Sequence, residues 1–209
     1  MEVAMNLANK LTVLRLFMVP IFMIVMLLPE SVIPFDVMCI VSAALFILAS
    51  ITDSLDGKIA RKRNLITDFG KFLDPLADKF MVIGALMCIL YRFEDIRLYT
   101  LIVTIIVVFR ELAVTAARLV ASTSGGVVIA ANMLGKLKTV FQIIFISAVF
   151  IEPVLWKLVA KLIQPLEFLT DILYGFPVAF VAMAVTAVLT VWSGAVYIKG
   201  CWKYINPEK

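Results

Sequence analysis

"VMCIVSAALFILASITDSLDGKIARKRNLITDFGKFLDPLAD", residues 37–78, changes character partway along. Residues 37–52 carry no charge. A bilayer-spanning helix needs about 20 mostly apolar residues, so this run predicts a membrane helix over about residues 37–58 that continues into the charged half. From Asp53 onward, five carboxylates (Asp53, Asp56, Asp68, Asp74, Asp78) and five bases (Lys58, Arg61, Lys62, Arg63, Lys71) crowd together. Asp53 and Asp56 are three apart and share one helix face. Asp74 and Asp78 are four apart and share another. A short basic loop, about residues 62–70, joins the two helices, and short connections make antiparallel neighbours. Both carboxylate pairs are therefore expected at one membrane surface, within reach of a common point.

Carboxylates gathered at a bilayer edge are costly and mark function by default, because like charges a few ångströms apart drive some of them to protonate. One or two divalent cations remove that repulsion. Oxygen donors without His or Cys select Mg²⁺, Mn²⁺ or Ca²⁺ over Zn²⁺, and two such ions about 3.5–4 Å apart clamp the oxygens of a phosphoryl transfer. Gly57, Ala60 and Gly70 supply small surfaces over which a bulky ligand approaches the backbone. Arg61, one turn beyond Gly57, reaches a phosphate. Pro75 is tolerated in a first helical turn, so the third helix is expected to start only shortly before Asp74. For Lys58, Lys62, Arg63 and Asp68 the simpler reading is an interfacial anchor.

The rest of the chain agrees with a membrane setting. Of 209 residues, 63% are hydrophobic and the mean hydropathy is +1.06, against about 45–50% apolar in soluble domains. Apolar runs near 12–29, 37–58, 72–91, 98–121, 132–151 and 176–198 predict an all-α integral membrane protein. It has six transmembrane helices, a short N-terminal segment, and an interfacial stretch (153–172) before the last helix. Strict alternation is missing, which excludes a transmembrane barrel. No small-residue cleavage site follows the first run, which reads as a retained helix. With the N-terminus in the cytoplasm, only Arg92, Arg97, Lys157 and Lys161 of the 19 basic residues fall on the far side, as the positive-inside rule asks. The net charge of +4 then belongs to an inner surface near anionic lipid and not to nucleic-acid binding. Cys39, Cys88 and Cys201 read as packed thiols. The chain has no histidine, so acid–base or metal chemistry falls to carboxylates, lysine or tyrosine. No repeat is visible, and a single domain over residues 1–209 is expected.

The pattern Asp53-x-x-Asp56-Gly57-x-x-Ala60-Arg61, eight residues, Gly70-x-x-x-Asp74-x-x-x-Asp78 resembles the signature of the CDP-alcohol phosphotransferase family. The resemblance implies displacement of CMP from a CDP-linked lipid by an alcohol. It implies two divalent ions, Mg²⁺ or Mn²⁺, on Asp53, Asp56 and Asp74, with Asp78 as general base and further metal ligand. Gly57, Ala60, Arg61 and Gly70, with Asp56, are implied to meet the CDP group. "NLANKLTVLRL", "FLDPLADKF", "FRELAVTAARL" and "LGKLKTV" resemble the branch that joins CDP-diacylglycerol to glycerol 3-phosphate. Asn9, Thr12 and Arg15 then resemble positions on the nucleotide or lipid-diphosphate side, an N-cap and interfacial anchor being the alternative. Ala8 stands where that branch commonly has proline. The resemblance further implies a homodimer among membrane lipids. With no transit segment before the first helix, a bacterial cytoplasmic membrane is expected, and the distribution of basic residues puts the site on its cytoplasmic side.

Glycerol 3-phosphate is a dianion near neutral pH, so its pocket should be basic. Arg110 and Arg118 are eight apart on the predicted fourth helix and share a face. Lys136 and Lys138 open the fifth at the same membrane side. These four are the candidates for the acceptor phosphate, with snorkelling at helix ends as the alternative. Serine, inositol, inositol phosphate and phosphatidylglycerol remain as other acceptors, and a divalent-cation carrier as a different class, although transport sites usually lie near mid-bilayer.

Overall fold

The computed structural model describes residues 7–62, 68–125, 133–162 and 176–202. Among them every regular element is a helix: α1 (Leu7–Leu27), α2 (Phe35–Lys62), α3 (Asp68–Arg92), α4 (Arg97–Gly125), α5 (Met133–Leu162) and α6 (Pro177–Cys201). The protein is an all-α, multi-pass integral membrane protein. α1, α2, α4, α5 and α6 are each long and apolar enough to cross a bilayer. α3 differs because Asp74, Asp78 and Lys79 occupy its first half, leaving residues 80–91 as its uncharged stretch.

Two expectations change. α3 begins at Asp68, so Pro75 lies inside the helix and not in its first turn. α5 runs through Pro153 to Leu162, so the first part of the expected interfacial stretch is a continuation of the fifth helix. Exposed Lys157 and Lys161 are four apart, a spacing that a helix emerging from lipid carries without burying charge. Residues 163–172 of that stretch lie outside the described residues.

The contacts divide the chain into two compact units, Met1–Glu94 with Ile146–Phe176, and Asp95–Phe145 with Pro177–Lys209. In the first unit α1 packs on both α2 and α3. The Met23 thioether of α1 packs over Gly84 of α3, where a Cβ would lie 2.9 Å from its sulfur. The core is aromatic: Phe22 meets Phe46 and Phe150 at ring separations of 6.1 and 5.7 Å, and Phe93 meets Phe150 at 6.2 Å, in the tilted geometries aromatic pairs prefer. At one end of this unit Arg92 pairs with Glu30 and Lys157 with Asp36. The motif aspartates lie toward the other end. From Phe35 to Asp53 the α2 axis rises about 27 Å, close to the ~30 Å hydrocarbon thickness, so Asp53 reaches the opposite interface.

In the second unit α6 lies along α4. The buried face of α6 consists of Ala179, Ala182, Met183, Thr186, Thr190, Ser193, Gly194, Tyr197 and Cys201, mostly small residues that let membrane helices approach closely. Two of its hydroxyls bond backward along the helix, Thr190 to the Thr186 carbonyl at 2.6 Å and Ser193 to the Thr190 carbonyl at 3.2 Å. Tyr99 packs edge-on against Phe180 near the helix starts, while Val114, Ala117, Tyr197 and Cys201 cluster near the ends. The two helices therefore run parallel. Cys39, Cys88 and Cys201 are buried and unbridged.

Candidate functional site

One candidate site is the acidic end of the first unit. Arg15 sits on α1 in an apolar run and is fully buried. Its Nη1 donates to Asp53 Oδ1 at 2.5 Å, while the Asp53 side chain stays 40% exposed. A charged group enclosed by helices is tolerated when it is paired, and here the partner is a motif carboxylate. The sequence placed Arg15 beside the nucleotide or lipid diphosphate; its guanidinium lies on Asp53. Thr12, one turn before it on the same face of α1, is also buried. Asp78 is half-buried on α3. Asp56, Gly57, Ala60 and Arg61 are carried by α2, Gly70 and Asp74 by α3, and Asn9 by α1; their side chains lie outside the described residues.

The donor chemistry fits a hard divalent cation. The chain offers no imidazole, its three thiols are buried elsewhere, and Asp53 and Asp78 both keep accessible surface at the motif end. Carboxylate oxygens of this kind suit Mg²⁺ or Mn²⁺. Arg15 would act on such a site from behind, since carboxylate ligands are themselves held by hydrogen bonds.

A separate candidate group is a cluster of cations in the second unit. Glu111 Oε1 accepts from Arg110 Nη1 at 2.9 Å and from Lys138 Nζ at 2.7 Å, which ties α4 to α5. Lys138 is buried; Lys136, two residues and about 200° around the helix from it, is exposed and stands outside the cluster. Arg118 Nε donates to the Tyr197 hydroxyl at 3.3 Å, and its Cζ lies 5.8 Å from that ring centroid. Of the four predicted bases, Glu111 thus joins two, Tyr197 holds a third, and the fourth faces outward. Arg110 Nε and Gln142 Nε2 are buried with no hydrogen-bond partner among the described residues. Gln142 lies one turn beyond Lys138 on the same face of α5. Buried donors left open in this way mark places where a ligand or water completes the bonding.

Beside Arg110, α4 and α6 bound an open cavity of about 420 Å³, lined by Ile105, Phe109, Thr190, Gly194 and Ile198 among others, with Arg110 its one charged wall residue among those described. Gln142, Gly194 and Tyr197 did not stand out in the sequence as parts of a binding pocket, whereas Glu111 is readable there as a carboxylate that pairs with an arginine or orders the site, and it pairs with Arg110. For Glu111 a signal existed: a carboxylate inside an apolar run requires a cationic partner, and two lie within reach.

Comparison with known proteins agrees over most of the chain. A family model described as CDP-alcohol phosphatidyltransferase matches residues 5–192. A Bacillus subtilis protein named CDP-diacylglycerol–glycerol-3-phosphate 3-phosphatidyltransferase is 44% identical over 96% of this chain and 97% of its own. Proteins of the same name from Rickettsia bellii and Salmonella typhimurium are 31% and 32% identical, over 98% and 92% of this chain and 99% and 93% of theirs.

Proposed function

The chain belongs to the CDP-alcohol phosphatidyltransferase family, and on that premise we propose that it transfers the phosphatidyl group of CDP-diacylglycerol to glycerol 3-phosphate, giving phosphatidylglycerophosphate and CMP. The relatives that carry this activity in their names align with nearly the whole chain. The family match crosses both compact units, which supports treating residues 1–209 as one functional domain.

The reaction needs residues for the diphosphate and residues for the acceptor phosphate. Asp53, Asp56, Asp74 and Asp78 are the residues that would hold two divalent cations, Mg²⁺ or Mn²⁺. Those ions, when bound, neutralise the diphosphate and the charge on departing CMP. Arg15 fixes Asp53. Asn9, Thr12, Gly57, Ala60, Arg61 and Gly70 border the CDP group. Asp78 takes the proton of the acceptor hydroxyl as its oxygen bonds to the lipid-linked phosphorus and the bond from that phosphorus to CMP breaks. Arg110, Lys138 and Arg118 bind the phosphate of glycerol 3-phosphate, with Lys136 at the rim. The observation that carries the choice of acceptor is the cluster around Glu111. Two cations, buried or nearly so, converge on one carboxylate oxygen in an otherwise apolar span, an excess of positive charge that a neutral alcohol would leave uncompensated. The protein works in a bacterial cytoplasmic membrane as a homodimer, with its site facing the cytoplasm.

Purified protein should release CMP only when both substrates and Mg²⁺ or Mn²⁺ are present. Asp78→Asn should abolish turnover and leave a folded protein. Offering serine, inositol, inositol phosphate and phosphatidylglycerol in place of glycerol 3-phosphate tests the acceptor; faster CMP release with any of them would replace it.

A further inference from the structure

We propose that Gly194 and Tyr197 of α6 are positioning residues for the acceptor phosphate, Gly194 by shaping the path of Arg110 and Tyr197 by orienting Arg118. The inference rests on the reading of those arginines given above.

A Cβ added at Gly194 would lie 3.1 Å from Arg110 Cγ and 4.0 Å from its Cβ. The aliphatic stem of Arg110 therefore crosses bare α6 backbone, and any larger residue at 194 pushes it aside by a few tenths of an ångström. At the far end of the same side chain Nη1 is held by Glu111. Arg110 is thus constrained at its stem and at its tip, while Nε between them is buried and open among the described residues. A donor held in this manner is organised before its acceptor arrives, and little freedom is lost when it binds.

Tyr197 follows three residues later on the same face of α6 and is the only aromatic side chain on that buried face. Packing against Val114 and Ala117 would need only its ring. The hydroxyl does something more: it accepts from Arg118 Nε while the ring lies beneath the guanidinium. With Nε engaged by the hydroxyl, the edge formed by Nη1 and Nη2 is the one by which this guanidinium can grip a phosphate with two donors. Both contacts come from a helix that bears no charge of its own along this face, so α6 shapes a basic pocket without adding to its charge.

The test is steady-state kinetics on the full-length protein in detergent, with glycerol 3-phosphate and CDP-diacylglycerol varied separately. Tyr197→Phe keeps the ring and removes the hydroxyl. It should raise KM for glycerol 3-phosphate by about threefold to tenfold, with kcat and KM for CDP-diacylglycerol within about twofold and the thermal midpoint unchanged. Gly194→Ala should act in the same direction. Neither change should add to its partner: Tyr197→Phe should do nothing further in Arg118→Ala, nor Gly194→Ala in Arg110→Ala. Full additivity, or a fall in kcat at constant KM, overturns the proposal. If Arg110→Ala and Arg118→Ala leave KM for glycerol 3-phosphate unchanged, the pocket itself is wrong and this inference falls with it. If they raise KM while Tyr197→Phe and Gly194→Ala do not, only the role of α6 falls.

Discussion

Replacing Arg15 separates what its ion pair does for folding from what it does for the site. The guanidinium has no exposed surface, and Asp53 is 40% exposed. In Arg15→Met the buried charge is replaced by an apolar side chain that fits an apolar surrounding. The carboxylate left behind reaches water, which screens it. Exchanging a buried ion for a hydrophobe is often neutral, so the expected loss of stability is about 1 kcal/mol or less. Asp53→Asn is the opposite case. It takes the Asp53 carboxylate from a guanidinium inside the protein, and breaking a buried pair that way costs up to about 3–5 kcal/mol. The remaining amide oxygen and the exposure of position 53 bring the expected value to the lower end. Unfolding in detergent with EDTA present should therefore rank Asp53→Asn as the weaker protein. Function should rank differently from stability: Arg15→Met loses the bond that orients Asp53, and loss of such a supporting group lowers metal affinity or activity by about 10–100-fold. The readouts are the Mn²⁺ concentration for half-maximal CMP release and Mn²⁺-induced thermal stabilisation. If Arg15→Met is the more destabilised variant, or its Mn²⁺ requirement equals that of the unaltered protein, the argument from burial is wrong.

Three further outcomes follow from the same geometry. Phe150→Ala removes a fully buried ring that touches Phe22, Phe46 and Phe93 and should lower stability by about 3–5 kcal/mol in a denaturant or thermal unfolding series. Glu111→Gln releases the bridge between Arg110 and Lys138, leaving two cations to repel one another in the span; unfolding should occur at least 2 kcal/mol more easily, with KM for glycerol 3-phosphate altered and KM for CDP-diacylglycerol unaltered. Chelation by EDTA should stop CMP release completely, with recovery on adding Mg²⁺ or Mn²⁺ but not Zn²⁺, since the donors are hard oxygens.

The helices were legible because the physics that makes them is local. Each mostly apolar run became one of the described helices, within a few residues at most ends, and five of these are long and apolar enough to cross a bilayer. The misreadings sit where a local rule was overridden. Pro75 suggested a helix start, but α3 accommodates it in its interior. Lys157 and Lys161 suggested a surface stretch, but their spacing of four is also that of one helix face, and α5 extends through them until Lys157 meets Asp36. The acidic signature was equally legible, since eight defined positions within residues 53–78 state both the residue types and the helix faces they share.

What sequence withheld is the set of countercharges. Arg15 and Asp53 are 38 residues apart, Glu111 and Lys138 are 27 apart, and Arg118 and Tyr197 are 79 apart. A charge inside an apolar run announces that it needs a partner, yet nothing in its neighbourhood says which helix brings one. That asymmetry follows from the chemistry. Groups that share a ligand can be written into one stretch, because a helix repeat sets their spacing. Groups that restrain them must approach from outside the stretch, or they would compete for the same face. Arg15 approaches Asp53 from α1, and Tyr197 approaches Arg118 from α6. The candidate binding residues were thus readable one segment at a time, and the residues that pair with them became visible only when the helices were packed.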